Sequence, residues 1–185
     1  KELEAAVIEN KVKNRGVCIV MEVDTGAIVA LSVKPDFDPN NPMEIADENV
    51  LNEIKQLPES EQAQAYIDAQ NKQWQNKAIT DTYEPGSVFK IITTSIALES
   101  GAYTLESQFY CEPNGIEVVK DEDPVRCWNY KKGGHGQQDL THALMHSCNP
   151  AFVTMALGMG ADTFYKFFKA YGFTEEQSAA VAETL

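Results

Sequence analysis

The sequence predicts a mixed α/β fold of the α+β type, in which an antiparallel sheet is flanked by helices. Two apolar segments, residues 16–23 and 27–33, are separated by an Asp-Thr-Gly turn, which is the pattern of a β-hairpin. Both segments are apolar on both faces, so we expect helices to cover at least one face of the sheet. A strongly apolar helix follows Ser87, and further helical patterns follow residue 140.

The composition is that of a globular domain with a sizeable core, since 43% of the 185 residues are hydrophobic. The chain has 28 acidic and 15 basic residues, which gives a net charge of −13 at pH 7. This charge argues against a nucleic-acid groove or an anionic membrane surface as a partner. No run of 18 apolar residues is present, so no membrane-spanning helix is predicted.

The remaining elements follow from periodicity and turn residues. We predict an amphipathic helix at 1–14, which reads as internal, so the natural chain is expected to extend upstream. Residues 46–75 are polar and helix-prone, which predicts a helical surface insertion. Asp139 is placed to cap a helix over residues 140–146, and a longer helical stretch covers 151–168 with a weak point at its Gly-Met-Gly sequence.

Residues 85–90 read Pro-Gly-Ser-Val-Phe-Lys and lead into the apolar helix, which should end near Gly101. Lys90 follows Ser87 by three residues, so both side chains share one face, about 5–6 Å apart at Cβ. Burial lowers the pKa of a lysine, and a neutral amine beside a hydroxyl can act as the general base for a nucleophile. The spacing is weak by itself, and a lysine that extends to the surface is the alternative.

A second polar pair, Ser147 and Asn149, lies at a helix edge downstream. Ser-x-Asn is also weak alone, but two such motifs in this order are much more specific. Residues 76–79 precede the first motif with Asn-Lys-Ala-Ile, and Gly-His-Gly at 134–136 precedes the second. With these segments and the hairpin at 20–31, the chain resembles the transpeptidase domain of class B penicillin-binding proteins as far as about Phe173.

The resemblance implies a penicillin-binding-protein/β-lactamase-like fold and an acyl-serine D,D-transpeptidase that needs no cofactor. The enzyme would cross-link peptidoglycan stem peptides ending in D-alanyl-D-alanine, and β-lactam antibiotics would acylate the same serine. By resemblance, Ser87 is the nucleophile and Lys90 its base. Ser147 shuttles a proton to the leaving amine, and Asn149 holds the substrate backbone and the lysine.

One motif of the family, Lys-Ser/Thr-Gly on a strand beside the serine, is absent from the sequence. We therefore expect residues 1–185 to be the N-terminal portion of the domain, with an incomplete sheet and little or no activity alone. Exposed sheet edges would then allow self-association.

The resemblance also implies a location on the extracytoplasmic face of the bacterial membrane, with an upstream anchor helix and cell-wall synthesis proteins as partners. From the residues alone, Cys111 and Cys127 are as consistent with two thiols as with a disulfide. The implied compartment favours the disulfide. Cys18, in an apolar strand, is expected to be buried.

No metal site is predicted. The four cysteines fit no zinc-ribbon spacing. His142 and His146 are four residues apart, but no glutamate lies between them, so a solvent-facing or capping pair is favoured over a zinc site.

Two other functions remain open from the sequence. A β-lactamase or a β-lactam sensor also uses Ser-x-x-Lys and differs in its deacylation rate. A non-catalytic, penicillin-binding-like interaction module would explain the absent third motif.

Overall fold

The computed structural model describes residues 1–174, which form two units: Lys1–Tyr83 and a second that begins at Glu84. Both units contain helices and strands, as predicted. The helices are α1 (Glu2–Glu9), α2 (Glu48–Gln56), α3 (Glu59–Trp74), α4 (Lys77–Thr80), α5 (Lys90–Glu99), α6 (Leu140–Met145), α7 (Asn149–Met159) and α8 (Ala161–Ala170). The strands are β1 (Gly16–Met21), β2 (Ile28–Lys34), β3 (Gln108–Cys111) and β4 (Gly136–Asp139).

The first unit contains the predicted hairpin. β1 and β2 are antiparallel, with Gly16 opposite Lys34 and a register shift next to Met21. Helix α1 packs on both strands and ends at Glu9, earlier than the predicted residue 14. Cys18 is exposed, and the expectation that it is buried is wrong, because α1 leaves most of β1 open to solvent.

Two helices, α2 and α3, occupy the helix-prone stretch at 46–75. The side chain of Asp47 accepts a hydrogen bond from the backbone N–H of Asn49 and so caps α2. At the other end of the stretch, Trp74 Nε1 donates to the carbonyl of Pro42 at 2.8 Å, which ties α3 to the preceding loop. That this stretch is an insertion stays a prediction.

The core of the second unit lies between helices and a short sheet. β3 and β4 are antiparallel, with Gln108 opposite Asp139 and Cys111 opposite Gly136. Helix α7 packs against both α5 and β3. β4 was not predicted, and the strand-like residues 116–119 form only one bridge, Ile116 to Val125. The buried core includes Ile96, Ala97, Phe109, Leu140, Ala143, Phe152 and Met155.

The predicted helix boundaries around residues 139 and 160 are confirmed. The Asp139 carboxylate accepts a hydrogen bond of 2.8 Å from the backbone N–H of His142, which caps α6. Gly160, with φ +77°, separates α7 from α8 at the predicted weak point. Among residues 1–174, no helix has both the length and the apolar character needed to cross a bilayer.

Candidate active site

Ser87 lies in a single 3₁₀ turn, Gly86–Phe89, that leads directly into α5. Gly86 has φ +53°, a value that favours glycine and lets the chain enter the turn after Pro85. The ring of Phe89 lies 5.8–6.5 Å from the rings of three phenylalanines, Phe164, Phe168 and Phe173. This aromatic cluster fixes the turn, while the side chain of Ser87 itself stays accessible to solvent.

Ser147 lies in the connection between α6 and α7 and has φ +50°. Within residues 1–174, only two other non-glycine residues, Lys11 and Asp121, have positive φ. Such a conformation costs about 1–3 kcal/mol and persists only where the surroundings enforce it. Here the next helix begins at Asn149, with Pro150 in its first turn.

The structure brings the four predicted site residues together. Lys90 Nζ donates hydrogen bonds to the carbonyl of Ser147 at 2.8 Å, to its Oγ at 2.9 Å and to Asn149 Oδ1 at 2.6 Å. Ser147 Oγ donates to Ser87 Oγ at 2.9 Å, and Lys90 Nζ lies 3.4 Å from the same oxygen. The lysine therefore does not extend into solvent, which removes that alternative.

Two further groups, not identified from the sequence, orient the site. Asn149 Nδ2 donates to the carbonyl of Arg126 at 3.3 Å, which leaves Oδ1 directed at Lys90. The ring of Phe152 lies one helical turn after Asn149, and its centroid is 5.4 Å from Lys90 Nζ. No local motif marks either contact, since one uses a backbone carbonyl and the other a core aromatic ring.

Burial lowers the pKa of Lys90, because the interior disfavours the ammonium form. The electrostatic influence of Cys148 and Cys127 on the pKa of Lys90 acts in the opposite direction and does not outweigh burial. A lowered pKa increases the fraction of neutral amine at physiological pH, which is the form able to accept a proton from a hydroxyl.

The predicted disulfide pair, Cys111 and Cys127, consists of free thiols in the structure. Their sulfur atoms lie within 4.8 Å of each other, beside the ring of His135. The two sulfur atoms are close but not bonded, so the disulfide stays a prediction.

The two histidines predicted to be a solvent-facing or capping pair, His142 and His146, have different partners. His142 Nδ1 lies 2.7 Å from Asp139 Oδ1, the carboxylate that caps the same helix. His146 Nδ1 lies 3.0 Å from Gln138 Oε1, and its ring stacks on that of His135 with centroids 4.5 Å apart. Within residues 1–174, neither His142 nor His146 belongs to a group of possible metal ligands, whereas His135 lies beside the cysteines.

The family model for the penicillin-binding protein transpeptidase domain matches residues 16–184. The chain belongs to this family. The match confirms the resemblance predicted from the motifs, and it extends beyond Phe173, where that resemblance was expected to end.

Named relatives of the chain support the same family assignment. Stage V sporulation protein D of Bacillus subtilis is 32% identical over 160 residues, covering 86% of this chain and 21% of the relative. Peptidoglycan D,D-transpeptidase PbpA of Mycobacterium tuberculosis is 34% identical over 164 residues, covering 85% of this chain and 30% of the relative. The chain thus spans between a fifth and a third of the length of these relatives.

Solved structures confirm the penicillin-binding-protein fold. Penicillin-binding protein A of M. tuberculosis, in a ceftriaxone acyl-enzyme complex, aligns with a TM-score of 0.63 at 30% identity, covering 84% of this chain and 33% of that one. The D,D-transpeptidase domain of a peptidoglycan glycosyltransferase from Eggerthella lenta aligns with a TM-score of 0.64 at 24% identity. The alignment covers 92% of this chain and 36% of that one. The second alignment supports the fold alone.

Proposed function

We propose that the full-length protein carrying this chain is a serine-type D,D-transpeptidase that cross-links peptidoglycan stem peptides and is acylated by β-lactams. One observation supports this most strongly: the Lys90 amine is surrounded by the side-chain oxygens of Ser87, Ser147 and Asn149. A nucleophile, a proton acceptor and a second hydroxyl in mutual contact are the groups that acyl transfer requires.

In the acylation step, Ser87 Oγ attacks the carbonyl carbon of the scissile amide and its proton passes to Lys90. The direct separation is 3.4 Å, whereas the path through Ser147 Oγ has two contacts of 2.9 Å. When the amine is neutral, these two hydrogen bonds run the other way, from Ser87 to Ser147 and from Ser147 to Lys90, so the relay moves each proton over a shorter distance than direct transfer does. The tetrahedral intermediate then expels the amine, which takes a proton from Ser147, and the ammonium of Lys90 reprotonates Ser147.

In the second step, an acceptor amine attacks the acyl-serine ester and gives up one proton to the neutral Lys90. That proton passes to Ser87 Oγ as the ester C–O bond breaks and the new amide forms. Asn149 keeps the amine of Lys90 in place without adding a charge. The lowered pKa of Lys90 favours the neutral base at the start of each cycle.

The cellular setting is part of the proposal. The relatives named as peptidoglycan D,D-transpeptidases support peptidoglycan stem peptides as the substrate, and the acyl-enzyme complex of the M. tuberculosis protein supports β-lactam binding. This substrate lies outside the cytoplasmic membrane, so we place the protein on the extracytoplasmic face, together with other cell-wall synthesis proteins.

The test uses the full-length protein and a donor peptide ending in D-alanyl-D-alanine. The wild type should release D-alanine and transfer the peptide to an added amine acceptor. Ser87→Ala should abolish both, while Ser95→Ala, at a serine in the following helix α5, should retain them. Release of D-alanine by Ser87→Ala at the wild-type rate would refute the proposal, as would rapid hydrolysis of nitrocefin without peptide transfer, which is β-lactamase behaviour.

A further inference from the structure

Three cysteines and one histidine meet beside the candidate active site. The possible ligand atoms of Cys111, Cys127, His135 and Cys148 all lie within 4.8 Å of one another. His135 Nδ1 is 3.2 Å from the sulfur of Cys127 and 3.8 Å from that of Cys111. The four residues come from the end of β3, the loop that follows it, the residue before β4 and the N-terminal cap of α7.

We propose that this Cys₃His cluster binds a divalent metal ion of the zinc class in tetrahedral coordination. Zinc bonds of about 2.3 Å to sulfur and about 2.0–2.1 Å to nitrogen place neighbouring ligand atoms about 3.4–3.8 Å apart. The two sulfur–nitrogen distances are close to that range, so small side-chain movements suffice. Three thiolates and one imidazole form a soft donor set that selects zinc over magnesium, calcium or manganese.

The three cysteines are buried and His135 is half-buried, which indicates a structural rather than a catalytic metal. Cys111, Cys127 and Cys148 are 0%, 1% and 0% exposed, and the four protein ligands complete a tetrahedron with no position for water or substrate. The net charge of the metal-bound cluster is small. The three thiols lose three protons on binding, and three thiolates with one Zn²⁺ give a net charge of −1.

The surroundings hold the histidine ligand in place. The ring of His135 stacks on His146 and meets the edge of Trp128, with centroids 4.5 and 5.3 Å away. The preceding residue, Gly134, has φ +75°, and a Cβ there would overlap the carbonyl oxygen of Cys111. A glycine at this position lets the loop approach β3 closely enough to bring His135 to the sulfur atoms.

The position of Cys148 gives the metal a role in the active site. This residue lies between Ser147 and Asn149, the two groups that hydrogen-bond the amine of Lys90. A metal bound to Cys148 fixes the N-terminus of α7 to β3 and to the loop before β4. It would thereby stabilise the positive-φ conformation of Ser147. Metal binding is independent of the proposed transpeptidase function, whereas this positioning role depends on it.

The first test measures metal binding in the 185-residue chain with its thiols reduced. After incubation with Zn²⁺ and desalting, elemental analysis should find about one zinc per chain, and Co²⁺ should give the visible bands and sulfur-to-metal charge transfer of tetrahedral thiolate coordination. Cys111→Ser and Cys148→Ser should lose the bound metal. Cys18→Ser is the matched control, because Cys18 is exposed and outside the cluster, and should keep it.

Two results would overturn the metal site: a wild-type chain that binds no zinc or cobalt, or one in which Cys18→Ser lowers the metal content as much as Cys148→Ser does. The wild-type measurement does not depend on how well any variant folds. A Cys111–Cys127 disulfide that forms in the presence of Zn²⁺ would equally contradict the proposal.

The second test addresses the positioning role in the full-length protein. Removal of the metal by a chelator should slow acylation by a fluorescent penicillin, and added Zn²⁺ should restore the rate. Metal-bound protein whose acylation is unchanged by chelation would disprove the positioning role and leave the metal site intact. Metal-bound wild type that is never acylated would instead contradict the proposed function.

Discussion

Lys90 Nζ donates a hydrogen bond of 2.6 Å to Asn149 Oδ1, the shortest of its four contacts. Asn149 is a neutral acceptor, so it fixes the amine without stabilising the ammonium form as a carboxylate would. The identity of this one residue should therefore set the pH range in which the lysine acts as a base.

The acylation rate of the full-length protein should rise with pH as Lys90 loses its proton. Because burial lowers the pKa of Lys90, the rise should occur below the ordinary lysine range and the rate should then level off. Stopped-flow measurements of β-lactam acylation against pH test this. An acylation rate that keeps rising into the ordinary lysine range would show that the pKa of Lys90 is not lowered.

Asn149→Asp should move that pH profile to higher values. A carboxylate in contact with the amine stabilises the ammonium, raises the pKa of Lys90 and leaves less neutral base at pH 7. The same pH series on this variant provides the measurement, with Asn114→Asp as a control, since Asn114 is exposed in a separate loop. An unshifted profile would mean that Lys90 is not the titrating base.

Removal of the Ser147 hydroxyl should reduce acylation about 10²–10⁴-fold, the usual contribution of a positioned proton-transfer group. Ser147→Ala and Ser147→Gly both lack the hydroxyl, so both should be slow. They should differ in stability, because φ +50° strains alanine and not glycine, by about 1 kcal/mol in favour of glycine. Acylation kinetics and denaturant unfolding measure the two effects separately, and equal stability would show that the strain is absent.

Gly134→Ala should destabilise the chain more than Gly136→Ala. Both glycines have positive φ, so either substitution costs about 1–2 kcal/mol. Only at Gly134 does an added Cβ also collide with backbone, at the carbonyl of Cys111, whereas nothing lies within 4 Å at Gly136. The clash should add about 1–3 kcal/mol. Thermal unfolding of the two variants measures the difference, and matching melting temperatures would contradict the close packing of this loop on β3.

The 185-residue chain alone should be acylated by a fluorescent penicillin far more slowly than the full-length protein, because its sequence holds no Lys-Ser/Thr-Gly motif. Side-by-side labelling of the two proteins, resolved on a denaturing gel, makes the comparison. Acylation of the short chain at the full-length rate would show that residues 1–185 already contain every group the reaction needs.

Local chemistry made part of this structure predictable. The turn at Pro85 and Gly86, the cap at Asp139 and the break at Gly160 each depend on backbone preferences of a few consecutive residues. The pairing of Ser87 with Lys90 follows from helical periodicity, and their meeting with Ser147 and Asn149 was expected only through the family resemblance. Those two residues lie 57 and 59 positions from Lys90, beyond the reach of any local pattern.

The Cys₃His cluster could not be predicted, because tertiary structure assembles it. Its members are 16, 8 and 13 positions apart and lack the paired spacing of zinc ribbons. Pairing of β3 with the short polar strand β4 brings His135 beside Cys111, and β4 has no apolar alternation to reveal it. The positive φ of Ser147, in the connection between α6 and α7, likewise has no signal in the local sequence.

The proposed mechanism depends on activation of Ser87 by Lys90 for attack on a carbonyl. Its most direct test is mass spectrometry of the full-length protein after brief exposure to benzylpenicillin, with peptide mapping of the adduct. We predict one acyl group, located on Ser87, and its loss in Lys90→Met while Lys77→Met retains it. An adduct on another residue, or undiminished acylation of Lys90→Met, would contradict the claim.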